Sequence, residues 1–534
     1  MIETLGALLD RAASQSPDRE AVACAPRERV TARMTWAGLR EASREAARKL
    51  LGLGVRKGSR VGLLCSNRLE WLPIAFGIVR VGGVLAPLPT MWKREELAYG
   101  LAHADVETLI TLPGFLAHDY IATLNEILPE IRQAARGRLY AKAAPSLRRI
   151  VLLDGAAAGA DRWAAAPAAI DDSFLDACEA AVSPTDSATM FFTSGTTAQA
   201  KVAVHSHRAL TIAAIEISAC LGLGTDDAWW GHLPLFWSGG FVLGVLASVA
   251  TGARIVLQER VDAASALELL QSEGCTVMSG WHQARPLTEH PDFPCRRLRL
   301  RKGTGANHPL AATLLGPAHA AVTNYGMTET ATCITSTRWD DPVAVRVGTF
   351  GHPLGAAEVR IIDPDTRREP PAGDVGEIHV KGSTLMDGYH RVPAAETFDA
   401  AGFFATGDLG YVDAAGRLHF AGRLKDVIKT AGVNVAAREV EGALAQHPAV
   451  GSAHVVGVPD AERGENVVAF VVARPGAATT YDDLRAFCVE RLASYKVPRH
   501  VFVVRDEDLP LTPSGKVEKQ ALRREAERRV KGTQ

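Results

Sequence analysis

Neither sign of charge prevails in this chain. Its 59 lysines and arginines stand against 60 aspartates and glutamates, a formal net charge of -1 over 534 residues. Such a balance creates no field to gather nucleic acid or to hold an anionic membrane, so neither partner class is expected. Cysteine is scarce: eight residues, with no Cys-x-x-Cys pair among them. That argues against a disulfide framework and a structural zinc site, and favours a reducing compartment, the cytoplasm. The N-terminus, Met1-Ile2-Glu3-Thr4, lacks the basic-then-apolar order of a signal peptide, and Lys531-Gly532-Thr533-Gln534 is neither a lipidation nor a peroxisomal address. Long apolar runs are missing but for one. Leu233 to Ala253 is uncharged and long enough to span a bilayer. Pro234, Gly239, Gly240, Gly244 and Gly252 interrupt it, so a buried helix of a large soluble domain is expected instead.

The length exceeds what one ordinary core serves, which predicts two or more domains. The content, 47% apolar and 22% charged, is that of a globular protein. The first ~180 residues alternate helix-like and strand-like patterns: an amphipathic helix over Leu39–Leu51, a buried strand over Arg60–Cys65, a helix over Trp71–Val81, then strand and turn over Gly82–Pro87. Alternation of this kind predicts an α/β layer fold. The Ala-rich run 156–169 has few large apolar residues and reads as a surface excursion. A second α/β stretch spans about 186–330. Short strands and turns follow from about 335 to 422, the texture of a small β-barrel or sheet. The last ~110 residues have an α+β pattern of their own, with a helix over Ala437–Gln446, a strand over Val467–Val472, a helix over Tyr481–Leu492 and a basic tail. No internal repeat is present.

The strongest local signal is Thr193-Ser194-Gly195-Thr196-Thr197-Ala198-Gln199-Ala200-Lys201. It follows the apolar run Thr189–Phe192. Small hydroxyl residues and glycine let N–H and O–H donors converge on an anion, and the terminal lysine adds a point charge for phosphate. A P-loop is excluded, because Ala200 and Val202 stand where its glycine and hydroxyl belong. The strand-like run Val202–His205 follows, so the loop should join two strands. Five segments come after it. Asn324-Tyr325-Gly326-Met327-Thr328-Glu329-Thr330 offers an aromatic face, a hydroxyl and a carboxylate. Thr406-Gly407-Asp408 puts a carboxylate at a tight turn. Gly422-Arg423-Leu424-Lys425-Asp426 is a charged turn. Lys429-Thr430-Ala431-Gly432 opens a run to Glu439-Val440-Glu441, and Pro510-Leu511-Thr512-Pro513-Ser514-Gly515-Lys516 presents a lysine on a rigid loop.

In this order the segments resemble the adenylate-forming superfamily of acyl-CoA synthetases, luciferases and peptide-synthetase adenylation domains. The resemblance runs from about Leu8 to Leu522. It implies an α/β fold: a large N-terminal domain, 1–423, of two α/β subdomains plus a β-barrel, joined to a small α+β lid, 424–534. It implies ATP, Mg²⁺ and coenzyme A as cofactors and co-substrates, and a small-molecule carboxylic acid as the group activated. Thr193, Ser194, Gly195, Thr196, Thr197 and Lys201 would hold the β- and γ-phosphates. Gly305, Ala306 and Tyr325 would border the adenine beside Gly326, with Tyr325 stacking on it. Thr328 would touch the α-phosphate and Glu329 would hold the magnesium. Asp408 would accept the ribose hydroxyls, helped by Arg423. Lys425 would be the hinge, Gly432 would line the pantetheine channel, and Lys516 would bridge the substrate carboxylate and the nucleotide.

The sequence departs from the family pattern at Ala198 and Ala200, where glycine and proline are usual, at Ala431, and at Gly280-Trp281-His282-Gln283. Amino-acid-activating relatives carry an aspartate where Trp237 stands. A buried ammonium would lack its partner there, which argues against an amino acid. His232, Trp237, Gly239, Phe241 and Met327, with Trp281, His282 and Cys333, are the candidate acyl-pocket residues, and Gly239, Gly240 and Gly244 are expected to leave room for a ring or chain. A fatty, alicyclic or aromatic acid is expected. Coenzyme A is the expected acceptor. A ligase loading a carrier protein and a non-catalytic nucleotide binder are the alternatives.

Overall fold

The computed structural model describes residues 3–193, 200–430, 433–460, 463–492, 494, 496–512 and 516–532. The chain condenses into two compact units, one of Met1–Glu358 with Lys381–Phe403 and one of Val359–Val380 with Phe404–Gln534.

Two sheets organise the first unit. The larger runs, in spatial order, Gly388–Tyr389, Val202–Ser206, Ser187–Phe192, Val84–Pro87, Arg60–Leu64, Thr108–Thr111, Arg149–Leu152 and Asp161–Arg162. From Ser187–Phe192 onward its neighbours are parallel, while Val202–Ser206 pairs antiparallel on both sides. The smaller runs Lys302–Gly303, Val277–Met278, Ala228–Gly231, Arg254–Gln258, Glu20–Ala25 and Ala32–Thr35, with only the last pair antiparallel. Parallel neighbours require crossover helices, and these cover the apolar strands. Helix Trp36–Gly52 starts where the Thr35 hydroxyl accepts from the Gly38 N–H at 3.1 Å, an N-cap. It buries Trp36, Leu39, Ser43, Ala46, Ala47 and Leu50, one helical stripe. Each large side chain so buried stabilises by about 1.5–3 kcal/mol. Against this stripe lies helix Trp71–Arg80, buried along its whole length. Gly77 makes the approach possible: a Cβ there would meet the Ala46 Cβ at 2.8 Å and the Ala47 nitrogen at 2.9 Å.

The apolar run at 233–253 is the expected buried helix, with an unexpected winding. Gly239–Leu246 is π-wound and continues as the α-helix Ala247–Thr251. Among the described residues no helix is long and apolar enough to cross a membrane. The run 156–169 is exposed or half-buried apart from Ala160, in keeping with a surface excursion.

The region expected to be barrel- or sheet-like forms two small antiparallel sheets. Asn324–Tyr325, Thr335–Ser336 and His352–Pro353 belong to the first unit. Glu358–Ile362, Gly376–Lys381, Phe404–Val412 and Leu418–Arg423 make a four-stranded sheet that condenses largely with the second unit. The second unit's other sheet is centred on Gly464–Ala473, flanked by Val450–Asp460 and by His500–Val504. Both faces of this strand are covered, as its alternation demands. Val467, Ala469 and Val471 pack with Val440, Leu444 and Leu484 on one side. Val468, Phe470 and Val472 pack with Leu522, Ala526 and Val530 on the other. The basic tail is therefore a helix, Lys519–Gly532, held by an apolar stripe at four-residue spacing.

Candidate active site

The loop after Phe192 does join two strands. Ser187–Phe192 and Val202–Ser206 are an antiparallel pair, and the Thr193 N–H donates to the Lys201 carbonyl at 2.9 Å, closing the turn at its base. The Tyr99 hydroxyl ties the Ala200 carbonyl at 2.9 Å. Ser194, Gly195, Thr196 and Thr197 lie outside the described residues, as does Gly432. Thr193 is buried and Lys201 exposed, with the Lys201 Nζ 4.5 Å above the centre of the Tyr389 ring.

The expected metal carboxylate sits in the same unit on a strained turn. Tyr325 ends a short strand, buried and edge-on to Phe350. At Gly326 a Cβ would strike the Thr332 carbonyl at 2.3 Å, so only glycine fits. Met327 and Thr328 are half-buried. Glu329, 9% exposed, lies in the 3-10 turn Thr328–Thr330. Ala331 and Thr332 follow with φ of 48° and 86°. A β-branched residue at positive φ is costly, and strain of that kind concentrates at functional turns.

Three contacts hold the turn. The Met386 N–H donates to the Glu329 carbonyl at 2.8 Å. The Tyr389 hydroxyl donates to Glu329 Oε1 at 2.6 Å. Burial, and then the neighbouring carboxylate, push this phenol's pKa up, which keeps it a donor. His205 Nε2 lies 2.8 Å from the Thr328 carbonyl. A carbonyl only accepts, so Nε2 carries the proton. Burial lowers the pKa of His205 to about 4, which keeps the ring neutral. Neither Tyr389 nor His205 was singled out from the sequence. Their contacts span 60 and 123 residues, and the only local hint was the pairing of a glycine with an aromatic at 388–389.

Around the expected adenine edge, Ala306 is buried and Gly305 has φ 83°. The Trp281 indole fills the space beside Gly305, its Nε1–H donating to the Thr304 carbonyl at 2.7 Å while its ring stacks on His308.

The acyl-pocket candidates separate into two kinds. Gly239 is half-buried, and a Cβ there would meet only Leu233, at an ordinary contact distance of 3.9 Å. The half-buried Trp237 stands edge-on to Phe236. His232 stacks on Trp230 at 3.8 Å, with His282 5.3 Å away. Phe241, in contrast, is 0% exposed and enclosed by Trp71, Phe76 and Phe191, a position in the core. The room expected at Gly240 and Gly244 is filled by protein, by the Pro234 carbonyl and the Trp229 ring respectively. Cys333 is buried and its pKa is raised by that burial, so it is no thiolate nucleophile.

In the second unit Thr406-Gly407-Asp408 lies within the strand Phe404–Val412 and not at the expected tight turn, and Asp408 faces Arg423 across paired strands, Arg423 Nε 3.4 Å from Asp408 Oδ1. Lys425 lies on the short turn Leu424–Asp426. Lys516 is exposed, its N–H donating to the Thr512 hydroxyl at 3.1 Å.

Fold and motif order together define an adenylate-forming enzyme. The family described as AMP-binding enzyme matches residues 9–390, and the AMP-binding enzyme C-terminal domain matches 439–516, so the chain belongs to the AMP-binding enzymes. It is 34% identical to the (7a-methyl-1,5-dioxo-octahydro-1H-inden-4-yl)propanoyl:CoA ligase of Rhodococcus jostii, over 92% of this chain and 94% of that one. It is 31% identical to the acyl-CoA ligase sidI of Aspergillus fumigatus, over 98% and 90%. ATP-bound MatB from Rhodopseudomonas palustris superposes with a TM-score of 0.79 at 27% identity, covering 98% of this chain and 99% of that one.

The buried histidines carry a pH prediction. Burial depresses His205 and His207 from 6.5 to about 4, and His232 to about 3. Between those values the unfolded chain binds protons that the folded chain refuses. Stability is therefore complete above about pH 6.5 and falls as pH drops toward 4, by up to about 1.4 kcal/mol per pH unit for each histidine. Melting temperature followed by circular dichroism should be level from about pH 8 to 7 and decline steeply from about 6.5 to 5. A level profile down to pH 5 would contradict this.

Proposed function

We propose that the chain is an AMP-forming acid–thiol ligase that activates a fatty, alicyclic or aromatic carboxylic acid and passes it to coenzyme A. A carboxylate oxygen attacks the α-phosphorus of ATP, the bond to the β-phosphate breaks and pyrophosphate leaves. The coenzyme A sulfur then attacks the acyl carbon, the bond to AMP breaks, and the thiol proton goes to solvent. Acid and triphosphate repel each other, and holding them in line removes much of the entropic barrier. N–H donors of the loop, Lys201 and Lys516 offset the charge that gathers on the phosphoryl group. Tyr325 and the edge at Gly305 and Ala306 take the adenine, Thr328 the α-phosphate, and Asp408 with Arg423 the ribose. After the first step the lid from residue 424 turns about Lys425, withdrawing Lys516 and bringing up the segment at Gly432.

Glu329 fits magnesium. It offers hard carboxylate oxygen, and among the described residues no group of three His, Cys, Asp or Glu side chains stands together. A cation that takes one carboxylate, water and substrate phosphates for the rest suits such a site. When bound, it would neutralise charge on the phosphates.

The observation that carries the reading is the convergence of Lys201, Tyr389 and Glu329 at one place in a chain of this family. The Rhodococcus jostii relative, named for a bicyclic propanoyl group, supports an alicyclic or similarly bulky acid. Eight free thiols support a reducing compartment such as the cytoplasm. The test is incubation with ATP, magnesium, coenzyme A and a panel of acids, read by pyrophosphate release and thioester mass. At least one acid should give both. Pyrophosphate without thioester would point to a carrier-protein acceptor, and ATP binding without acid-dependent pyrophosphate would sink the enzymatic reading.

A further inference from the structure

We propose that Tyr389 is a positioning residue that sets the magnesium carboxylate and the phosphate-loop lysine together. The inference rests on the nucleotide-activating reading above and assigns a role to a residue outside the motifs that led to it. Tyr389 touches two charged groups with two different parts of one rigid side chain. Its hydroxyl donates to Glu329 Oε1 at 2.6 Å, and its ring face receives the Lys201 ammonium at 4.5 Å. A charge-assisted hydrogen bond to a carboxylate is among the stronger protein contacts. An ammonium over a tyrosine face is held well within the range of a cation–π contact.

The backbone explains why these groups meet. Gly388–Tyr389 adds to the edge of the large sheet beside Val202–Ser206, with Tyr389 opposite Ala203. Lys201 is two residues before Ala203, the diagonal neighbour on the same face. The N–H groups of Asp387 and His390 donate to the carbonyls of Val204 and Val202, each at 2.8 Å. Beyond the strand, Asp105 anchors the chain by accepting from His390 Nε2 at 2.9 Å and Arg391 Nη2 at 2.6 Å. Ahead of it, Met386 grips the Glu329 backbone. Tyr389 thus stands on a fixed rung, and its side chain transmits that fixity to two flexible charged ones. With one carboxylate oxygen held by the phenol, Glu329 would meet a metal from a fixed orientation. Lysine's long stem would otherwise sample many rotamers and lose that freedom on binding phosphate.

Two substitutions separate the two contacts. Tyr389→Phe removes only the hydroxyl and Tyr389→Leu also removes the ring. Each is titrated calorimetrically with a non-hydrolysable ATP analogue, with and without magnesium, and its melting temperature is taken alongside. Tyr389→Phe should weaken analogue binding about tenfold in the presence of magnesium and leave magnesium-free binding within about twofold. Tyr389→Leu should weaken both. In the double variant Tyr389→Phe with Glu329→Gln, the hydroxyl has no carboxylate to hold, so the loss should equal that of Glu329→Gln alone. Unchanged magnesium-dependent binding in Tyr389→Phe, an equal loss with and without magnesium, or additive losses in the double variant would each overturn the proposal. The titration uses nucleotide alone. A wild-type enzyme that binds the analogue but releases no pyrophosphate with any acid would defeat the catalytic reading and leave this one to its own result.

Discussion

Lys516→Ala is expected to slow acid-dependent pyrophosphate release by about 10²–10³-fold, the cost of losing a cation that meets developing charge. Thioester formation from a supplied acyl-adenylate should keep its rate. The reasoning starts from repulsion. A carboxylate approaching a triphosphate meets charge of its own sign, and only a group delivered at that moment can offset it without binding the ground state equally well. Lys516 is suited to delivery. It is exposed, and its backbone is clamped, with the Thr512 N–H donating to the Lys516 carbonyl at 2.7 Å and a bridge joining Leu511 to Val517. A long exposed side chain on an anchored backbone is suited to enter a site and leave it. In the proposed mechanism the second half-reaction needs the lysine elsewhere, so the substitution should split the two half-reactions. Lys516→Arg keeps the charge but changes the reach, and should recover only part of the first. If Lys516→Ala accumulates acyl-adenylate at the wild-type rate, the lysine has no part in adenylation.

Sequence reasoning reached the elements whose determinants are local. Helix Trp36–Gly52 announces itself by its three-and-four spacing, and Arg60–Leu64 by an apolar run between charged turns. That the phosphate loop joins two strands could be read from Val202–His205 alone, since no helix pattern follows Lys201. What escaped depends on how the chain packs back on itself, near or far along the sequence. The glycines of the apolar helix suggested space for a ligand, but a missing side chain does not say what fills the gap. At Gly244 it is Trp229, and at Gly240 the Pro234 carbonyl. Phe241 shares its segment with pocket candidates yet points among Trp71, Phe76 and Phe191, because a π-wound stretch shifts which residues face the core. The order of the motifs led to Glu329. It could not lead to Tyr389 or His205, which hold that turn from an added edge strand and from the strand after the loop.

Asp408→Ala should raise the KM for ATP about 10²-fold or more, and the reason lies in how that carboxylate is held. The segment before it, within the strand Phe404–Val412, is fastened to the neighbouring strand. The Thr406 hydroxyl donates to the Ile378 carbonyl at 2.7 Å, and the Gly407 N–H to Glu377 Oε1 at 3.2 Å. Gly407, at φ 71°, breaks the regular strand where its pairing with Gly376–Lys381 shifts register, and so aims the next residue. Asp408 is 5% exposed, and Arg423 lies across from it at 3.4 Å, so its charge is compensated while its oxygens can still accept. Two adjacent hydroxyls on a ribose are a natural match for two carboxylate oxygens. Each such bond to a charged acceptor contributes about 1.5–3 kcal/mol. Losing both, and leaving the Arg423 guanidinium without this partner, gives the stated effect. Asp408→Asn keeps one acceptor and should fall between. The discriminating measurement is 2′,3′-dideoxy-ATP. The wild type should prefer ATP to it by roughly the factor that Asp408→Ala loses. The variant should treat the two nucleotides alike, since the group that reads the hydroxyls is gone. If Asp408→Ala still prefers ATP by the full wild-type factor, the ribose is read elsewhere and the paired strands around Asp408 and Arg423 serve the fold alone.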